Sequence, residues 1–143
     1  MKKILIINGP NLNLLGQREE EIYGKVSFDE VLKDLKEIAV KYGAELDYFQ
    51  SNHEGEIIDR MHRSMSGINF IIFNPGALTH YSYSIHDAIK AVKVPTIEVH
   101  ISNIYGRDKW RSKSVISPAA IGVISGFGLR GYAMALDFIL KQQ

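Results

Sequence analysis

A chain of 143 residues is long enough to bury roughly two-thirds of its unfolded surface around one core, and its 45% apolar content is too high for disorder. Seventeen Lys and Arg against sixteen Asp and Glu leave a net charge of +1, so no general field gathers nucleic acid or anionic lipid, and any anion must be bound locally. The absence of cysteine excludes disulfide scaffolds, thiolate nucleophiles and thiolate metal sites, and fits a cytoplasmic location.

The apolar run at residues 4–7 is far shorter than a signal-peptide core and ends in turn residues, so it reads as a strand covered on both faces. A loop over 9–25 follows, longer than most connections and of the kind that usually carries function. Ser27 and Glu30 have capping-box spacing, and Val31, Leu32, Leu35, Ile38, Ala39 and Tyr42 keep a helical period until Gly43. Residues 44–50 read as a second strand. Ser51 with Glu54 repeats the capping-box spacing before a stripe of Ile57, Ile58, Met61 and Met65, closed by Gly67.

A third strand over 69–73 ends in Asn74-Pro75-Gly76, and Ile85, Ala88, Ile89 and Val92 mark a helix that stops before Pro95. In a fourth strand, 96–101, Ile97, Val99 and Ile101 face one way while Glu98 and His100 face the other. Residues 121–125 form a short fifth strand, and Leu129, Ala133, Leu136 and Leu140 give a C-terminal amphipathic helix. No stretch approaches the roughly 20 apolar residues needed to span a bilayer.

Repeated strand–helix units with short joins imply right-handed crossovers and a parallel sheet covered on both faces. The expected architecture is α/β: a flavodoxin-like three-layer sandwich with a five-stranded parallel sheet, as one domain over residues 1–143. In that order ligands sit beyond the carboxyl ends of the strands, at the switch point between the first and third.

Polar residues gather at those ends: Asn11, Asn13, Arg18 and Tyr23 after the first strand, Asn74, Thr79 and His80 after the third, and His100, Ser102, Asn103, Arg107 and Arg111 at and after the fourth. Tyr23 either packs under its loop or acts as a general base. The second role needs its phenol, ordinarily near pKa 10, eased toward neutrality by about 3–4 kcal/mol, which two close guanidinium groups such as Arg18 and Arg107 supply. His100 is either a structural histidine or a proton donor oriented by Glu98. Asn74 either serves a plain turn or directs a leaving group or hydroxyl.

Backbone donors around Ile101 and Ser102, with the Ser102 hydroxyl, suit a carboxylate, and Arg111 adds a charged fork. His53, His62 and His86 read as surface or hydrogen-bonding residues. His80, His100 and Glu98 lack any metal-ligand spacing, so no metal is expected.

Residues 9–16 (GPNLNLLG) with Arg18 and Tyr23-Gly24, residues 50–55 (QSNHEG), residues 74–77 (NPGA) with Thr79-His80, residues 98–103 (EVHISN) and residues 126–132 (GFGLRGY) together resemble type II 3-dehydroquinate dehydratases over essentially the whole chain. That resemblance implies a cofactor-free and metal-free lyase of the shikimate pathway that dehydrates 3-dehydroquinate to 3-dehydroshikimate. The elimination would be anti, through an enolate, with no Schiff base. By resemblance Tyr23 is the base, His100 the acid, and Arg18 and Arg107 activate the tyrosine. Asn11 holds a water near the enolate oxygen, and Asn74, His80, Ile101, Ser102 and Arg111 bind substrate. The same resemblance implies a homododecamer, a tetramer of trimers, in which Asp87 reaches a neighbouring subunit's site. Glu20 stands where the pattern has proline, and Tyr81 and His86 where it often has smaller or basic residues.

A flavin- or nucleotide-binding module would share the architecture, but no Gly-rich phosphate cradle follows the first strand. A phospho-receiver would need acidic residues at the ends of the first and third strands, where Asn8 and Asn74 stand.

Overall fold

The computed structural model describes residues 1–16 and 27–142. The continuous apolar run forms β1 (Lys3–Asn8), in which Ile4, Leu5, Ile6 and Ile7 are all fully buried, as a strand covered on both faces must be. Along the chain follow α1 (Phe28–Lys41), β2 (Glu45–Gln50), α2 (Glu54–Arg63), β3 (Phe70–Asn74), α3 (Tyr83–Val92), β4 (Thr96–His100), β5 (Gly122–Ser125) and α4 (Arg130–Leu140). The five strands pair in the order β2-β1-β3-β4-β5, all parallel, which is the flavodoxin-like order.

Strand alternation divides the core into two layers. Ile4, Ile6, Ile72, Ile97 and Val99 pack with Leu32, Leu35 and Ala39 of α1 and with Leu136 and Ile139 of α4. Leu5, Ile7, Ile71 and Phe73 pack with Ile57 and Met61 of α2 and with Ile85 and Ile89 of α3. The result is the three-layer sandwich expected from the sequence. Among the described residues no helix is long and apolar enough to cross a membrane.

Three local expectations are corrected. Ser27 stands at the N-cap of α1 but makes no side-chain capping bond. The N-cap of α2 is His53 rather than Ser51: Ser51 Oγ accepts from the His53 amide (2.9 Å) and donates to Glu56 (2.7 Å), while Glu54 accepts from Ser82 Oγ (2.5 Å). Ser82 is the serine that caps, taking the Ile85 amide at the start of α3. In α4 the buried stripe is Tyr132, Ala135, Leu136 and Ile139, rotated from the stripe expected. Gly131 lies on the same buried face, where a Cβ would stand 3.2 Å from Val99 Cγ1.

The carboxyl ends of β1 and β3 are joined backbone to backbone. The Gly9 amide donates to the Asn74 carbonyl (2.8 Å), and a Cβ on Gly9 would stand 2.4 Å from the Pro75 carbonyl oxygen. Only glycine permits this approach, and it brings the two following loops together at the switch point.

Candidate active site

Beneath the switch point lies a buried polar chain. Tyr132, fully buried on α4, donates its hydroxyl to Asn8 Oδ1 (2.7 Å) and accepts from Asn74 Nδ2 (2.9 Å); Asn8 Nδ2 donates in turn to the Tyr48 hydroxyl (3.3 Å). Burial pushes the Tyr132 phenol well above its ordinary pKa, with the Asn74 bond opposing, so it remains a neutral donor. Asn74 Oδ1 accepts from the Gly76 amide (3.1 Å). The Asn74 amide is thus fixed in orientation, with one N–H left for the cleft it lines.

Glu98 and His100 share one face of β4, as strand alternation requires, and meet: Glu98 Oε2 lies 2.5 Å from His100 Nε2. Glu98 is fully buried and also takes Thr79 Oγ1 (2.5 Å), Ser114 Oγ (2.9 Å) and Ser117 Oγ (2.6 Å). Burial raises the Glu98 pKa, but the His100 bond and charge, then the Ser117 and Thr79 hydroxyls, outweigh it and hold the carboxyl below its usual value. A carboxylate only accepts, so the His100 proton facing it sits on Nε2. Nδ1 has no partner among the described residues, and His100 lines the cleft.

His80 has the opposite polarity. Its Nδ1 lies 2.7 Å from the Lys113 carbonyl, which fixes a proton there and leaves Nε2 as an acceptor. Burial, with the positive neighbours His100 and Arg111 adding, lowers the His80 pKa against the opposing Lys113 carbonyl. Trp110 packs edge-on to His80, ring centroids 5.2 Å apart, and Arg111 lies 4.0 Å over the Trp110 ring, so indole and guanidinium are stacked at the cleft. Arg111 also donates to Asp108 (3.4 Å).

Past β4, the Ile101 and Ser102 amides donate to no acceptor among the described residues, and Ser102 Oγ accepts from Arg107 Nη1 (3.1 Å). Two open amides, a hydroxyl and two guanidinium groups therefore border one concavity. Asn11 stands at its rim in the left-handed conformation (φ 71), held by its amide bond to Asn52 Oδ1 (2.9 Å). Pro10, Leu12, Gly76, Ala77 and Ile104 complete the lining.

Of the residues singled out from sequence, Asn11, Asn74, His80, His100, Ile101, Ser102, Arg107 and Arg111 thus line one cleft, with Glu98 immediately beneath. Asp87 is exposed on α3 and does not line it. Arg18 and Tyr23 lie outside the described residues, as does Glu20. His86 is a hydrogen-bonding histidine as expected, its Nδ1 at the Val115 carbonyl (2.7 Å). Sequence reasoning missed Ser114 and Ser117. Neither has a distinguishing spacing, and their role depends on a return of the chain to Glu98.

An α/β sandwich of this order, with a carboxylate-backed imidazole at the switch point and an anion-receiving rim, has the layout of an acid–base enzyme for a small anionic substrate. The profile described as Dehydroquinase class II matches residues 2–140. A 3-dehydroquinate dehydratase of Caldicellulosiruptor bescii is 62% identical over 143 residues, covering 99% of this chain and 98% of that protein. Among solved structures, the type II dehydroquinase from Butyrivibrio crossotus superposes with TM-score 0.94 at 46% identity, covering 99% of this chain and 98% of its own. The type II dehydroquinase from Propionibacterium acnes gives TM-score 0.95 at 37% identity, with the same coverage. The chain belongs to the class II dehydroquinase family.

Proposed function

We propose that this protein catalyses the reversible anti dehydration of 3-dehydroquinate to 3-dehydroshikimate in the shikimate pathway, in the cytoplasm and without metal or cofactor. The observation that carries the reading is the Glu98-backed His100 on the same cleft as the open Ile101 and Ser102 amides. The two amides, the Ser102 hydroxyl and Arg111 receive the substrate carboxylate, and His80 Nε2 and the remaining Asn74 N–H receive its hydroxyls.

With the carboxylate anchored there, the hydroxyl on the same carbon lies toward His100. Tyr23, as phenolate beside Arg18 and Arg107, removes a proton from the carbon next to the ketone, giving an enolate whose oxygen is met by a water held by Asn11. Protonated His100 donates from Nδ1 to the departing hydroxyl, which leaves as water while the enolate electrons form the conjugated double bond. His100 ends neutral with its remaining proton on Nε2 against Glu98. The catalytic unit is the single domain of residues 1–143, assembled as a homododecamer, a tetramer of trimers, in which Asp87 of one subunit approaches a neighbour's site.

Adding 3-dehydroquinate alone and following the ultraviolet absorbance of the conjugated enone tests the reaction, and an absence of product sinks it. Tyr23→Phe and His100→Ala test the roles: each is expected to lose on the order of 10²–10⁴ in kcat with the fold intact. Borohydride with substrate should trap no lysine.

A further inference from the structure

The acid half of the site is held by groups that come from outside β4. Thr79 reaches Glu98 from the turn after β3, and Ser114 and Ser117 reach it from the segment between β4 and β5. Their protons can be assigned. Ser114 Oγ accepts the amides of Ile116 (3.1 Å) and Ser117 (2.9 Å), which occupies both of its lone pairs. It therefore cannot accept from Thr79, 2.8 Å away, so the Thr79 proton must go to Glu98 Oε2 at 2.5 Å. Ser117 donates to the other oxygen, Oε1. With His100 Nε2 added, both carboxylate oxygens face donors, which disfavours a proton on Glu98.

We propose that Thr79, Ser114 and Ser117 are positioning residues for the acid step, their hydroxyls locking Glu98 as an acceptor-only carboxylate that commits the transferable proton of His100 to Nδ1. The inference rests on the reading of His100 as the acid of the proposed reaction. The 113–117 segment is a suitable clamp, because it is tied to both cleft histidines: the Lys113 carbonyl holds His80 and Ser114 backs the Glu98–His100 pair, while the Val115 amide donates to the Thr79 carbonyl (2.8 Å). With a hydroxyl missing, the carboxylate gains freedom to rotate or to take a proton, and the imidazole is no longer restricted to one tautomer.

The experiment compares Thr79→Val, which keeps the shape and deletes the hydroxyl, with Thr79→Ser, which keeps the hydroxyl, and with Ser117→Ala. The expected result is a kcat about tenfold or more lower in Thr79→Val and Ser117→Ala, the factor carried by one hydrogen bond to a charged group. KM for 3-dehydroquinate should stay within about twofold, because no substrate-touching group is removed. Thr79→Ser should recover most of the kcat. Nitrogen NMR of the imidazole should find one tautomer in the parent and a mixture in Thr79→Val. If Thr79→Val fails to fold, Ser117→Ala carries the same comparison from a less buried position. Parent-like kcat and tautomer in the hydroxyl deletions, beside an inactive His100→Ala, overturns the clamp and leaves the reaction standing. A fully active His100→Ala overturns the acid assignment and the clamp with it.

Discussion

Glu98 and His100 are two residues apart on a strand, so their side chains are bound to share a face; what makes the pair chemically useful is burial. A carboxylate at zero exposure loses its hydration, and here that loss is outweighed by an imidazole and by the Ser117 and Thr79 hydroxyls. Glu98→Gln keeps the volume and replaces an anion by an amide, so it removes the stabilisation of a protonated His100. The expected loss in kcat is on the order of 10²–10⁴, with far-UV circular dichroism unchanged. The same residue leaves a thermodynamic trace. Because its folded pKa is lowered, the unfolded chain binds the proton first as pH falls, and stability present above the unfolded value drains away as pH drops through the folded one. His80, also lowered, acts with the same sign at higher pH. Urea unfolding across a pH series should therefore weaken in two stages, first below about pH 6.5 and then below about pH 4.5. Glu98→Gln should lack the contribution of its carboxyl to the second stage, and an unaltered profile in that variant would contradict the assignment.

At the level of elements, helix and strand identity was legible wherever a face is apolar throughout, as in β1 and in the α1 stripe of Leu32, Leu35 and Ala39. Caps and rotations were not, because they depend on neighbours distant in sequence. Ser51 has capping-box spacing yet bonds Glu56, and the face of α4 that is buried includes Gly131, packed close against Val99 of β4 and Ile124 of β5. The cleft was legible for the same reason as the strands: once the strand order is known, the ends of β1, β3 and β4 must converge. Its polar support was not: Tyr132 enters the sequence reading only as the end of the 126–132 motif, outside the expected apolar stripe, while its hydroxyl joins Asn8 to Asn74 across 124 and 58 positions. Tyr132→Phe leaves Asn8 Oδ1 and an Asn74 N–H buried without that partner. The expected cost is about 1–3 kcal/mol, read as a lower urea midpoint at unchanged slope. Since Asn74 borders the cleft, a raised KM should accompany it.

For the molecule as a whole, the sheet ends on one side at β5, whose only strand neighbour among the described residues is β4. That edge is apolar: Ile121 and Val123 are exposed and, with Phe138 of α4, line a shallow hollow beside Ile97 and Ile124. An unpaired edge strand with apolar side chains invites pairing, and a chain with a net charge of only +1 has little self-repulsion to oppose it. A subunit contact of the proposed dodecamer would cover it. Its sedimentation mass should be twelve times the 16.1 kDa chain. Val123→Lys puts an ammonium on the edge, where burial against another subunit would cost several kcal/mol while the free monomer leaves it in water. If this edge lies in a subunit contact, the variant should sediment as smaller species with an unfolding midpoint that falls on dilution, and, if the exposed Asp87 serves a neighbour's cleft as proposed, its activity should drop in parallel. A Val123→Lys protein that keeps the full mass would remove β5 from the assembly surface, and a parent protein that sediments as a fully active monomer would remove the shared-site arrangement altogether.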